Sequence, residues 1–324
     1  MGALDHTPPA ETLILAQGHG RMTRMNVTLT GATGLIGQRL VAALKARGDE
    51  VTVLSRNAEK ATAALGVPAV AWDALKQPAP VEALSGRDAV VHLAGEPVAQ
   101  RWNAARKQAI LESRETGTRN LVAGIEAASP RPSALISSSA VGYYGKHGDE
   151  RVDESAPAGD DFLADVCVRW EREADAAAAH GLRVAHIRTG IVLDKTGGAL
   201  KTMLPPFKMG VGGPVAGGRQ YMPWIHLDDL VGLYLAALDG DWSGPYNGSA
   251  PEPVTNKEFS KALGKALHRP AFSPVPAFAI KLLYGEMSEI VTEGQRAVPT
   301  RPLAAGYSFK HPELAEALTS ALGK

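Results

Sequence analysis

The stretch Val27-Thr28-Leu29-Thr30-Gly31-Ala32-Thr33-Gly34-Leu35-Ile36-Gly37 decides the fold. Its first four residues form a β-rich run, and three glycines follow at once. A helical pattern starts behind them, with Leu35, Leu40, Val41 and Leu44 apolar and Gly48 at its end. Strand, glycine turn and helix in this order can cradle the pyrophosphate of a dinucleotide. Gly31 permits the tight turn off the strand. Gly34 lets the backbone approach the pyrophosphate with no Cβ in the way. Gly37 allows the helix to pack close to the sheet. The helix N-terminus offers free N–H groups and a partial positive charge, so Thr33, Leu35 and Ile36 join the glycines as cofactor residues. The alternative is a purely structural glycine turn; the flanking strand and helix weigh against it.

Outward from this turn, each strand end bears on the same site. The second strand, Val51–Leu54, runs into Ser55-Arg56, about 20 residues past the turn, where an acidic residue would bind the ribose hydroxyls of NAD. Arg56 instead suits a 2′-phosphate and Ser55 can donate to it, which predicts NADP(H) over NAD(H). The alternative for Arg56 is an ordinary surface charge. The third strand, Val67–Trp72, ends at Asp73, a candidate acceptor for the adenine amine. The fourth, Asp88–Leu93, leads into Ala94-Gly95-Glu96. The backbone of Leu93, Ala94 and Gly95 is small enough there for a ribose to lie against it. His92 reads as a packed strand residue, with no metal-binding partner visible. Glu96 and Arg114 are candidate pocket residues, Arg114 attracting an anion; surface ion pairs are their alternative.

A long helix over Asn103–Ala128, a strand Ala134–Ser138, a helix Phe162–His180 and a strand Leu182–Ile187 continue the alternation. Helices are also expected between the second and third strands and between the third and fourth. Alternation of this kind predicts an α/β fold, a Rossmann doubly wound parallel sheet with ligands along the C-terminal edge of its strands. The expected divisions are an N-terminal extension (1–24, disordered or loosely docked), a dinucleotide-binding domain (25–188), a substrate-side lobe interleaved with the sheet (189–270) and a small helical C-terminal domain (271–324). Gly197–Gly218, rich in Gly, Pro and Met, reads as loops around a cleft. Trp224–Leu238 reads as a short strand and a helix, and the tail as helices near Ala277–Tyr284 and Pro312–Leu322.

Composition excludes several classes. The 324 residues carry a formal net charge of zero, so no basic field is available to hold nucleic acid. No apolar run reaches the roughly 18 residues of a membrane span. The single cysteine, Cys167, cannot form an internal disulfide, which points to a reducing, cytoplasmic setting. The expected partner is a small-molecule substrate, and the expected assembly a monomer or homodimer.

Together these residues resemble the extended short-chain dehydrogenase/reductase family, the group that includes nucleotide-sugar epimerases. The resemblance spans about residues 25–270. It rests on Thr30–Gly37, His92-Leu93-Ala94-Gly95, Ser137-Ser138-Ser139, Tyr144-Gly145 and Trp224-Ile225-His226-Leu227-Asp228-Asp229. Arg101-Trp102, Arg188-Thr189-Gly190-Ile191-Val192-Leu193 and Gly212-Gly213-Pro214 are similar to an atypical subgroup, the cell-division-inhibitor-like epimerase family proteins. That subgroup carries a C-terminal domain of unknown function, which residues from about 275 resemble.

The resemblance implies a Ser/Tyr/Lys relay, with Tyr and Lys one helical turn apart. The matching helix, Phe162–Glu171, places Leu163 where the family has Tyr and Cys167 where it has Lys. Leu has no proton to give, and Cys offers no fixed cation. The family's Asn-x-x-Gly-Thr becomes Arg114-Glu115-Thr116-Gly117-Thr118. Ser139, or Ser138, is then the best match for the substrate-orienting serine, and Tyr143 and Tyr144 are candidate phenols in the catalytic set. Lys201, Lys208 and Arg219 are candidates for a polar or anionic substrate, with solvated loops as the alternative. Asp228 or Asp229 is expected to cap a helix rather than bind a metal. Two functions compete: an NADP(H)-dependent oxidoreductase or epimerase-like protein, and a non-catalytic NADP(H)-binding sensor.

Overall fold

Strands that are buried on both faces can be accommodated only inside a layered domain, and Val27–Thr30, Val51–Leu54 and Ala89–His92 are of this kind. The computed structural model describes residues 24–323, so all but the last residue of the expected extension lies outside the described residues. The strands in chain order are β1 (Asn26–Thr30), β2 (Glu50–Ser55), β3 (Ala69–Ala71), β4 (Ala89–His92), β5 (Ala134–Ala140), β6 (Arg151–Val152), β7 (Arg183–Thr189), β8 (Ile191–Leu193), β9 (Tyr221–Met222), β10 (Trp224–His226), β11 (Gly244–Gly248), β12 (Val254–Thr255) and β13 (Arg296–Ala297). The main sheet is parallel throughout, in the order β11-β7-β5-β4-β1-β2-β3. Its order reverses between β1 and β4, the switch point at which doubly wound sheets bind ligands.

Helices cover both faces. They are α1 (Leu35–Ala46), α2 (Ala58–Leu65), α3 (Ala104–Ala127), α4 (Phe162–Asp175), α5 (Gly198–Lys208), α6 (Leu227–Asp239), α7 (Asn256–Leu267), α8 (Ala277–Tyr284), α9 (Glu289–Thr292), α10 (Thr300–Ala304) and α11 (Leu314–Ala321). One face packs Leu40, Val41 and Leu44 of α1 and Leu230, Leu233 and Tyr234 of α6 on the sheet. The other packs Leu121 and Ile125 of α3 and Ala174 of α4. A separate cluster joins Leu200 and Leu204 of α5, Phe259 and Leu263 of α7 and Leu318 of α11.

Three expectations about elements need correction. No α-helix forms between β3 and β4; only a 3₁₀ turn at Val81–Ala83 does, next to Pro78 and Pro80. The stretch from Gly197 to Gly218 contains α5, although Pro205 and Pro206 lie within it. Burial of Leu200, Leu204 and Phe207 on one side outweighs the lost helical hydrogen bonds. The helix from Phe162 ends at Asp175 and tightens into a 3₁₀ turn through His180.

The C-terminal segment is tied back to the sheet. β13 pairs with β6, and Val298 N–H donates to Val152 O. Asn247 Nδ2 at the end of β11 donates to Val298 O, and Ser249 Oγ donates to Ala297 O. These bonds place residues 289–295 over the C-terminal ends of β5 and β7.

Candidate active site

The dinucleotide edge is built from backbone geometry. Gly31 has φ +67°, and a Cβ there would lie 2.6 Å from the Leu93 carbonyl carbon. A Cβ on Gly37 would lie 2.5 Å from Ala32 Cα, so the first turn of α1 can sit on the loop only if residue 37 is glycine. Side-chain acceptors cap α2, α3, α4 and α7 through Asn57, Asn103, Asp161 and Thr255. At α1 the cap residue is Gly34, with no side-chain hydrogen bond and no acidic residue in the first turn. The amides of Leu35 and Ile36, beside Thr33, therefore begin a helix whose positive end is left for an external anion. This cradle fits a pyrophosphate.

Thr30 fixes the neighbouring strand end. Its Oγ1 accepts from Leu93 N–H and Ala94 N–H, both at 3.2 Å. Its hydroxyl proton then goes to His92 Nδ1 at 2.7 Å, which leaves the ring proton on Nε2, donated to Thr118 Oγ1 at 2.9 Å. Burial, helped by the Arg114 charge, pushes the His92 pKa down to about 3. His92 is thus a neutral structural residue, as its sequence context suggests.

Ser55 closes β2 and Arg56 follows it. The Arg56 side chain is 80% exposed and meets Glu96 only at 3.9 Å, while Ser55 Oγ donates to Asn57 O. Glu96 is held more firmly by Arg106 at 3.2 Å. Asp73 accepts from Leu75 N–H and pairs with Lys76 at 3.1 Å, and these contacts hold its carboxyl below the ordinary range. Arg114 packs against Gly95, where a Cβ would come within 3.0 Å of its guanidinium carbon. Its Nη1 donates to Glu96 O and Ile110 O, and its guanidinium lies 4.8 Å from the Trp170 ring centre.

The serine and tyrosines singled out in the sequence lie behind this edge, in a buried network. Ser139 is 2% exposed and donates to Glu171 Oε1 at 2.6 Å. Arg188 grips the same carboxylate through Nε at 2.9 Å and Nη2 at 2.8 Å. Its Nη1 donates to the Tyr144 hydroxyl, which donates to Asn247 Oδ1 at 2.7 Å. The Tyr143 ring centre lies 3.4 Å from the Arg188 guanidinium carbon. Burial raises the Tyr144 hydroxyl to about 12 although Arg188 pulls the other way. Burial also works against the Arg188 charge, but its contacts with Glu171 outweigh that and raise its pKa. Ser139, Tyr143 and Tyr144 do not line the adjoining cavity.

That cavity, about 370 Å³, opens beside Arg114 and runs under residues 289–295. Ala140, Val141, Leu163, Val166 and Cys167 form its inner wall, so both positions matched to the family's Tyr and Lys do face it. Trp102 and Phe162 stack edge to face at 5.2 Å on a second side. Ile191, Met203, Tyr221 and Met222 close the third, and Ile290 and Val291 cover the top. Burial, aided by the Glu171 charge, raises the Cys167 thiol to about 12, and it donates to Ala140 O at 3.7 Å. Met203 falls in the stretch read as bordering a cleft, whereas Tyr221 and residues 289–295 carry no such signal, because they converge from separate segments. Lys201, Lys208 and Arg219 are not in the lining.

The Asp228/Asp229 expectation is corrected. The helix cap is His226, whose Nδ1 accepts from Asp228 N–H. Asp228 pairs with Arg39, and buried Asp229 accepts from Lys310 N–H and His311 N–H. His226, Asp228 and His311 bring potential metal donors within 4.8 Å of one another. Asp228 and the His226 Nδ1 atom, however, already have these protein partners.

A parallel, doubly wound sheet with an uncapped glycine turn at its switch point defines a nicotinamide-dinucleotide type of Rossmann protein. A family model described as NAD dependent epimerase/dehydratase family matches residues 27–247, and one described as Domain of unknown function (DUF1731) matches residues 275–321. The chain belongs to the NAD-dependent epimerase/dehydratase family. It is 42% identical over 302 residues to the chloroplastic epimerase family protein SDR39U1 homolog of Arabidopsis thaliana, covering 91% of this chain and 86% of that one. The crystal structure of human epimerase family protein SDR39U1 (isoform 2) with NADPH matches with TM-score 0.83 and 36% identity, covering 93% of this chain and all of that one. A nucleoside-diphosphate sugar epimerase from Corynebacterium glutamicum matches with TM-score 0.74 and 35% identity, covering 93% of this chain and 59% of that one.

Proposed function

We propose that this protein is an NADP(H)-dependent oxidoreductase of the epimerase/dehydratase type, acting on a small molecule in a reducing, cytoplasmic setting. The observation that carries the reading is Arg56: an exposed guanidinium at the end of β2, on the edge that holds the uncapped glycine turn. The human relative was solved with NADPH, which supports the same choice. Gly31, Gly34 and Gly37 with the α1 amides would hold the pyrophosphate, Ser55 and Arg56 the 2′-phosphate, and Leu93, Ala94 and Gly95 the ribose. When bound, the reduced dinucleotide supplies a hydride.

The chain's own residues then bind, orient and exclude water. Arg114 stands between Gly95 and the cavity. The Ser139–Glu171–Arg188–Tyr144 network sets the floor on which β5 and β7 end. We assign Ser139 and Tyr144 a positioning role in that network. An apolar cavity beside the cofactor edge favours an oxidoreductase over a sensor, since a sensor needs no such chamber.

Calorimetric titration of Arg56→Ala with NADPH and with NADH tests the reading. Losing charge-assisted contacts to a phosphate should weaken NADPH binding by about tenfold or more while NADH binding stays within about twofold. Equal losses for both nucleotides overturn the assignment.

A further inference from the structure

The cavity beside the cofactor edge has a chemistry of its own, and this inference concerns the same site as the proposed function. Aliphatic and aromatic groups make up most of its wall: Trp102, Phe162, Leu163, Val166, Met203 and Met222. Most of the charged side chains that reach it already have partners, and the other, Glu289, is a carboxylate that would repel a diphosphate. Lys146 pairs with Glu293 at 2.7 Å, Asp161 caps α4, and Arg114 is spent on two carbonyls and the Trp170 face. A nucleotide-linked sugar carries a charged diphosphate and many hydroxyls. Burying these without new cations and hydrogen bonds would cost several kcal/mol. Lys201, Lys208 and Arg219, the cations the sequence offers for an anionic substrate, lie outside the lining.

We infer that the cavity receives a compact, uncharged, ring-sized apolar electrophile of the quinone class, not a nucleotide-linked sugar. The second argument is the pair of residues on α4. Leu163 carries no proton, and the Cys167 thiol points its hydrogen at Ala140 O. Reduction of an isolated ketone creates a localised alkoxide, which needs an acid at this position. Reduction of a quinone leaves an anion delocalised over the ring. A hydride from the reduced nicotinamide dinucleotide enters the quinoid system, the donor is oxidised by two electrons, and the hydroquinone monoanion takes its second proton from water. A wall of apolar groups disfavours none of these steps. The cavity volume of about 370 Å³ lies within the range of small-molecule sites and admits one substituted ring.

Direct binding to the full chain tests the inference. Tetramethyl-1,4-benzoquinone is the probe, because its substituted ring gives Cys167 no free position to alkylate. Calorimetry is run with the protein alone and with saturating NADP⁺, alongside UDP-glucose, and NADPH is titrated separately. Saturable quinone binding, a negative heat-capacity change and no heat from UDP-glucose are expected. Leu163→Lys, at a half-buried wall position, should weaken the quinone by about tenfold or more and leave NADPH binding unchanged. UDP-glucose binding as tightly as the quinone, or no quinone binding to protein that binds NADPH, overturns the inference. Quinone binding that survives Leu163→Lys at full strength also overturns it. Failure of NADPH to bind, with the quinone still saturable and sensitive to Leu163→Lys, sinks the proposed function and leaves the cavity assignment standing.

Discussion

The two halves of the site are made in different ways. The dinucleotide edge comes from short contiguous stretches: a glycine turn, and the ends of β2 and β4. What it presents is backbone amides and one exposed guanidinium. The apolar cavity is assembled from α3, α4, α5, β9 and the segment 289–295, the last held in place by the pairing of β13 with β6 and by Gln220 Nε2 donating to Val291 O. A phosphate site needs fixed N–H vectors, which a few adjacent residues can provide. An apolar chamber needs walls on every side, which only distant segments can provide. Substitutions should therefore hit the edge through local geometry and the cavity through global packing.

The largest effect is expected at Gly37. A valine there would drive its Cβ into Ala32, which lies 2.5 Å from the ideal position, and only backbone movement could relieve it. Gly37→Val should destabilise by more than about 3 kcal/mol and abolish NADPH binding, read by urea denaturation and calorimetry. Wild-type affinity in this variant would show that the edge does not depend on the close turn.

Next comes the buried network under the cavity. Arg188→Met would leave Glu171 charged and enclosed with only Ser139 as partner. Loss of about 3–5 kcal/mol in chemical denaturation is expected, because removing one member of a buried pair strands the other. The ratio of NADPH to NADH affinity in the folded fraction should not change. A shift in that ratio would show that the two halves are coupled more closely than their construction implies.

The smallest effect is a pH slope. His92 in the folded chain has its pKa depressed to about 3, against 6.5 for the ordinary group. Between these values the unfolded chain binds the extra proton and the folded chain does not. Stability should therefore be level above about pH 6.5 and fall on acidification, by at most about 1.4 kcal/mol per pH unit. His92→Gln should flatten that part of the denaturation profile. A wild-type slope retained in the variant would place the titration elsewhere.

How much of this was legible in the sequence varies along the chain. β1, α1, β2 and α3 were placed within a residue or two, because apolar period and glycine punctuation agree there. The proline-bearing α5 reads as loop in sequence, since local propensity opposes what burial of Leu200 and Leu204 enforces. Leu163 and Cys167 stand where the resemblance places the proton relay, and both face the cavity. Ser139 and Tyr144 were picked as reactive by resemblance. Hydroxyls at a strand end look alike in sequence whether they face a ligand or, as here, a buried glutamate and an asparagine.

The sequence alone determined the parallel sheet and the glycine cradle, and it alone singles out Arg56 for the proposed role at the 2′-phosphate. These depend on neighbours within a few residues, whose periodicity and φ requirements are written into the chain. Tertiary structure alone decided that Asp229 is a buried anchor for the C-terminal segment and that Ser139 is enclosed. It also decided that an apolar chamber lies under residues 289–295. Those outcomes depend on which distant surfaces meet, a property of the folded chain that no local pattern encodes.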